Sequence, residues 1–171
     1  QFKQKNGNPN KLQGNIRLSA TELAATFEGP LSKNKKTTFL ASARRSYLEL
    51  LFSALDLPIR PNFWDFQTKL THQLNKKTTL SFLAIAAIDE FSFAKIKDAT
   101  PEKLYILNSN PIINQWTYTG GLSLKKLIRD GFINLALSRN SFDNHIDRYE
   151  DNELKLPSQQ TLAYQSRETE N

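Results

Sequence analysis

Apolar side chains in this chain recur at every second residue, a period that allows strands and rules out amphipathic helices over most of its length. Between Phe63 and Leu74 the residues Trp64, Phe66, Thr68, Leu70, His72 and Leu74 share one face. Phe63, Asp65, Gln67, Lys69, Thr71 and Gln73 share the other. Asn75-Lys76-Lys77-Thr78 then reads as a short turn, and Leu80, Phe82, Ala84, Ala86 and Ile88 mark the apolar face of a returning strand. The pattern repeats over Thr117–Leu127 and Phe132–Phe142, joined by Arg129-Asp130-Gly131, where glycine is available for a left-handed turn. It is also present at Phe39, Ala41 and Ala43, with Leu40 the one misfit. Ile16 and Leu18 are even while Leu23, Ala25 and Phe27 are odd, so a reversal is expected near Ser19–Glu22. Phe2–Lys5 reads as the tail of one further strand.

The connections sort by length. Lys33–Lys36, Asn75–Thr78 and Arg129–Gly131 are short; Tyr47–Asn62 and Ser92–Gln115 are long. In the first long connection Leu48, Leu51, Phe52 and Leu55 fit a helical face, with Pro58 and Pro61 expected to end it. An alternation of short turn and long loop is the mark of an outer-membrane barrel, and a soluble sandwich has no reason to sort its loops by end. Aromatics gather at strand ends as membrane girdles do: Tyr47, Trp64, Phe66, Phe91, Phe93, Trp116, Tyr118 and Phe142 toward the long loops, and Phe27, Phe39, Phe82 and Phe132 toward the short turns. The apolar stretches reach the roughly 9–11 residues that cross a bilayer as tilted strands.

Composition removes several other classes. Without cysteine there is no disulfide framework and no thiolate metal site. No apolar run approaches the ~18 residues of a membrane-spanning helix. No basic, apolar leader opens the chain, so any signal peptide is expected to lie outside these residues. A mean hydropathy of -0.53 would suit a soluble protein, but alternating barrels also average out as hydrophilic. The net charge of +6 divides into +10 over residues 1–142 and −4 over 143–171. The bases cluster at the short turns (Lys33, Lys35, Lys36, Lys76, Lys77, Lys125, Lys126 and Arg129), away from most aromatics. A nucleic-acid surface needs the two interleaved, so no nucleic-acid partner is expected.

Together these features predict an all-β chain: an antiparallel transmembrane β-barrel of about eight meander strands, a number that could in principle close a small barrel. Residues 1–142 are expected to form barrel strands with short periplasmic turns and long extracellular loops, and 143–171 an acidic extracellular loop region. Ser42, Arg44, Asp65, Gln67 and Lys69 have the parity of the lumen face. Arg44 there is placed to pair with a neighbouring lumen carboxylate; ordinary lumen lining is the plainer reading of all five. Arg45 has the opposite parity and is expected at the extracellular interface. Asp143, Asp147, Glu150, Asp151 and Glu153 are oxygen-rich, but their spacing matches no calcium loop, and a solvated acidic loop is expected. His72 and His145 are isolated. No catalytic motif, metal-ligand spacing or cofactor motif stands out, so no enzyme activity, metal or cofactor is expected.

Asn6-Gly7-Asn8, Leu12-Gln13-Gly14, Phe27-Glu28-Gly29-Pro30-Leu31 and Phe39-Leu40-Ala41-Ser42-Ala43-Arg44-Arg45-Ser46-Tyr47 resemble the start of the barrel in TonB-dependent receptors. The nearest likeness is to the Bacteroidetes type with a carboxypeptidase-regulatory-like domain. It continues through Asp65-Phe66-Gln67 and Leu74-Asn75-Lys76-Lys77 and covers roughly residues 5–142. The resemblance implies a plugged barrel of 22 strands in the cell outer membrane, of which this chain is a fragment, with Ser42, Arg44, Asp65, Gln67 and Lys69 facing the lumen or its plug. It also implies energised uptake of a scarce nutrient: an iron chelate, cobalamin, an oligosaccharide or a peptide. The implied partners are outer-membrane lipid, the plug and remaining strands, TonB acting through the plug, and a surface lipoprotein. A plug-less porin or assembly barrel and a soluble all-β binding module stand as alternatives.

Overall fold

The computed structural model describes residues 4–94, 98, 100–150 and 161–171. Eight strands form one antiparallel sheet in which every strand pairs with its neighbours in sequence. The order is β1 (Gln13–Leu18), β2 (Glu22–Pro30), β3 (Thr37–Ser46), α1 (Leu48–Ala54), β4 (Ile59–Asn75), β5 (Thr78–Phe93), α2 (Pro101–Ser109), β6 (Ile112–Ile128), β7 (Gly131–Glu150) and β8 (Thr161–Glu170). The sheet is not closed: β1 and β8 do not pair, and each leaves an edge open. The β7–β8 ladder runs only from Phe142 to Glu150, so among the described residues no strand pairs with β7 on that side over Gly131–Ser141.

The strand period, the reversal at Ser19–Thr21 and the helix after Tyr47 agree with the sequence pattern. Five expectations need correction. Gln4 and Lys5 are not in a strand, while Phe2 and Lys3 lie outside the described residues. Beyond Phe142 the chain is not a loop: β7 runs on to Glu150 and returns as β8. The total of eight strands therefore agrees with the expectation only because one is lost at the start and one gained at the end. The connection after β5 holds α2, announced by Thr100-Pro101-Glu102, which supply an N-cap, a proline in the first turn and an early acid. Gly131 has no left-handed backbone, because it already opens β7 opposite Ile128. The non-glycine residues with positive φ are Lys35 and Asp56. Pro61 lies inside β4 rather than ending the helix. The β3–β4 ladder stops at Trp64, so no β3 carbonyl waits there for a donor from Pro61, and its missing N–H costs little.

Among the described residues no second layer covers the sheet. Among the described residues Leu40 and Leu107 are the buried hydrophobic side chains, while Phe27, Leu70, Phe82, Leu122, Leu135 and many others are exposed. The surface area is 11937 Å². A compact monomer of 19.6 kDa exposes about 8,600 Å². β4 to β7 contain 16 to 20 residues each, about three times a typical globular strand of ~5–6 residues. A single layer of long strands buries little apolar surface against the ordering entropy of its residues.

Candidate functional site

Register assigns every strand residue to a face. On the polar face Ser42 stands opposite Gln67, Arg44 opposite Asp65, and Leu40 opposite Lys69. The five residues singled out in the sequence therefore share one surface. Arg44 donates from Nε to Asp65 Oδ2 at 2.8 Å, and its Nη1 reaches Glu22 Oε2 at 3.4 Å. Its guanidinium also lies 5.1 Å from the centre of the Phe63 ring. The arginine thus joins β2, β3 and β4 across the sheet, and its carboxylate partner is Asp65 as parity allowed. Glu22 was missed, although its parity was legible: with Leu23, Ala25 and Phe27 on the apolar face, Glu22 and Glu28 must point the other way.

The same face carries a strap that parity alone does not reveal. Glu28, Leu40 and Lys69 form one cross-strand row. Lys5 Nζ binds Glu28 Oε1 at 2.7 Å, and Lys69 Nζ donates to the carbonyl of Gln4 at 2.8 Å. Thr71 Oγ1 donates to Asn6 Oδ1, and Gln13 Nε2 to Glu28. Residues 4–8 therefore cross the polar face of β2–β4. This accounts for Leu40, the misfit of the alternation: it is 4% exposed on a polar face because the strap lies over its row. Further along, Thr119 pairs with Asn140 and Ser123 with Asn134, so the polar face continues onto β6 and β7.

The opposite face is apolar and bounded. On this face β5 carries Thr78, Leu80, Phe82, Ala84, Ala86, Ile88 and Glu90, five apolar residues between two polar ones. The belt does not follow the hydrogen-bond rows. Ala25, at the centre of the β2 stretch, is in row with Ala43, Phe66, Ala86, Tyr118 and Ser141. On β7 the apolar run is Ile133, Leu135 and Leu137, centred six residues from Ser141 and nearer the short turns. Rings stack along the long-loop side of the belt, Trp64 on Phe66 and Trp116 on Tyr118. Arg45, on this apolar face, lies 4.8 Å from the Trp64 ring centre and 3.9 Å from Glu49.

Charge separates by end. The three short hairpins carry Lys33, Lys35, Lys36, Lys76, Lys77, Lys125, Lys126 and Arg129, all exposed, with Asp130 as their one carboxylate. At the other end Asp143 sits 3.0 Å from His145, and Asp147 pairs with Arg167 at 2.7 Å. The acidic residues here are strand residues with cross-strand partners rather than a free loop; Asp151 and Glu153 lie outside the described residues. Among the described residues no group of three or more His, Asp or Glu side chains is placed to hold a metal ion. His72 is paired with Thr37, Nδ1 to Oγ1 at 2.8 Å.

No family model matches the chain, and no curated protein or solved structure matches it either.

Proposed function

We propose that this chain forms early strands of an outer-membrane β-barrel belonging to a TonB-dependent receptor, which takes up a scarce nutrient. The observation that carries the membrane reading is the slope of the apolar belt. Its centre lies two residues from the row of Ala25 on β5 (Ala84 against Ala86) and six on β7 (Leu135 against Ser141), an end-to-end shift of six residues over five strand steps. With ~3.3 Å per residue and ~4.8 Å between strands, a flat hydrocarbon slab cutting this sheet needs strands tilted by about 40°. Membrane barrels tilt by about 35–45°. A belt formed by packing against a second protein layer has no reason to slide by the stagger of a barrel wall.

Three further features support it. The apolar face has no protein cover, as a lipid-facing surface requires. The polar face, with Ser42, Arg44, Asp65, Gln67 and Lys69, suits a water-filled or plugged lumen. The strap of residues 4–8 crosses that polar face on its way to β1, as a chain segment lying inside a lumen would. The open edges need further strands, because unpaired backbone groups in lipid cost several kcal/mol each. Energised uptake, as against passive permeation, rests on the resemblance of the Asn6–Tyr47 segments to receptor barrels.

Cell fractionation tests the membrane reading. The protein is expected in the outer-membrane pellet after an alkaline wash and in solution only with detergent; recovery from the soluble fraction sinks the proposal. A plug domain and TonB box in the same polypeptide would separate energised uptake from a passive or assembly barrel.

A further inference from the structure

We infer that the rim of short turns is a binding surface for anionic phospholipid headgroups, with Lys76, Lys77, Lys126 and Arg129 as its contacts. The inference rests on the membrane reading and goes beyond it, since a barrel can sit in lipid without preferring a charged one. Three successive hairpins bring eight cations to one end of the sheet against a single carboxylate, Asp130. Lys76, Lys77, Lys126 and Arg129 are exposed, and no ion pair joins any of them to a described acid.

The position of Lys126 identifies the partner. It belongs to the apolar face, opposite Ile133, and the next pair along that face is Leu124 with Leu135. Two residues along a strand are about 7 Å. A cation and an apolar wall that close together fit an amphiphile: an anionic head with acyl chains directly beside it. An acidic peptide would satisfy the charge and leave the apolar neighbours in water. A zwitterionic lipid would cover the apolar wall and bring no net charge. Each Lys or Arg held near an anionic surface favours it about fivefold.

Lys125 supplies an internal control. It belongs to the other face, opposite Asn134, and lies 4.7 Å from the Phe132 ring centre. It therefore takes no part in the outward contacts.

The protein is reconstituted into vesicles of phosphatidylcholine alone and of an equimolar mixture with phosphatidylglycerol, and its thermal midpoint is followed in each. The expected result is a midpoint several degrees higher in the mixture, shrinking as salt is added. That gain is lost in the triple variant Lys76→Gln, Lys77→Gln, Lys126→Gln and kept in Lys125→Gln. Equal midpoints in the two vesicles, or a gain that survives the triple variant, overturn the lipid preference while leaving the membrane reading intact. Failure to incorporate into either vesicle removes both.

Discussion

A Cβ on Gly7 would sit 2.0 Å from the carbonyl oxygen of Phe39. No side chain fits that gap, so the strap rests directly on the backbone of β3. This contact, more than the strap's hydrogen bonds, fixes how closely residues 4–8 approach the polar face.

Replacing Gly7 with alanine is expected to lift the strap and destabilise the protein by about 1–3 kcal/mol, the usual cost of overpacking a filled site. Proteolysis within residues 4–12 should become faster while strand content, read by circular dichroism, stays constant. An unchanged cleavage rate would show that the strap does not depend on this contact.

Arg44→Ala leaves Glu22 and Asp65 without their shared cation. The arginine side chain is 43% exposed, so solvent screens the pair. Loss of the ion pairs and of the ring contact with Phe63 is expected to cost about 1 kcal/mol. A double-mutant cycle with Asp65→Asn in denaturant melts measures the coupling. Strict additivity of the two changes would rule out the Arg44–Asp65 interaction.

Neighbouring residues on β6 should respond in opposite ways to the same charge. Leu122→Lys places a cation on the belt and is expected to destabilise the inserted protein by roughly 2–4 kcal/mol near mid-depth. Ser123→Lys points to the polar face and should be close to neutral. Folding yield into phosphatidylcholine vesicles distinguishes the two. Equal tolerance at both positions would contradict a hydrocarbon environment for the apolar face.

The free side of β7 over Gly131–Ser141 demands a partner strand. That strand is expected to carry apolar residues opposite Ile133, Leu135 and Leu137, extending the belt across the ladder. Amide hydrogen exchange of the intact protein in detergent should show the backbone of Gly131–Ser141 protected on both sides. Fast exchange at alternate amides would mean that the edge stays open.

Much of the fold was legible because alternation is a local signal. Trp64 to Leu74 and Leu80 to Ile88 announce their own faces, and the parity change between Leu18 and Leu23 announces a reversal. The lower ends of β6 and β7 were readable for the same reason. The signal fails where the two faces no longer meet different surroundings. Asp143–Glu150 and Thr161–Glu170 are strands with polar residues on both sides, held by ladder bonds and by pairs such as Asp147 with Arg167. Above the apolar belt nothing forces alternation, so these strands read as loop.

The candidate site was half visible. Ser42, Arg44, Asp65, Gln67 and Lys69 follow from parity. Glu22 required that β2 be aligned with β3, and the strap required that residues 4–8 lie over β2–β4. By itself, then, the sequence determined the strands, their two faces and the sorting of turns from loops, because a side chain's face depends only on its own strand's period. The tertiary structure alone decided the register, and with it the Arg44–Asp65 pairing, the burial of Leu40 and the slope of the belt. Those are relations between strands distant in the chain, and hydrogen-bond pairing, not local pattern, sets how far one strand slides past the next.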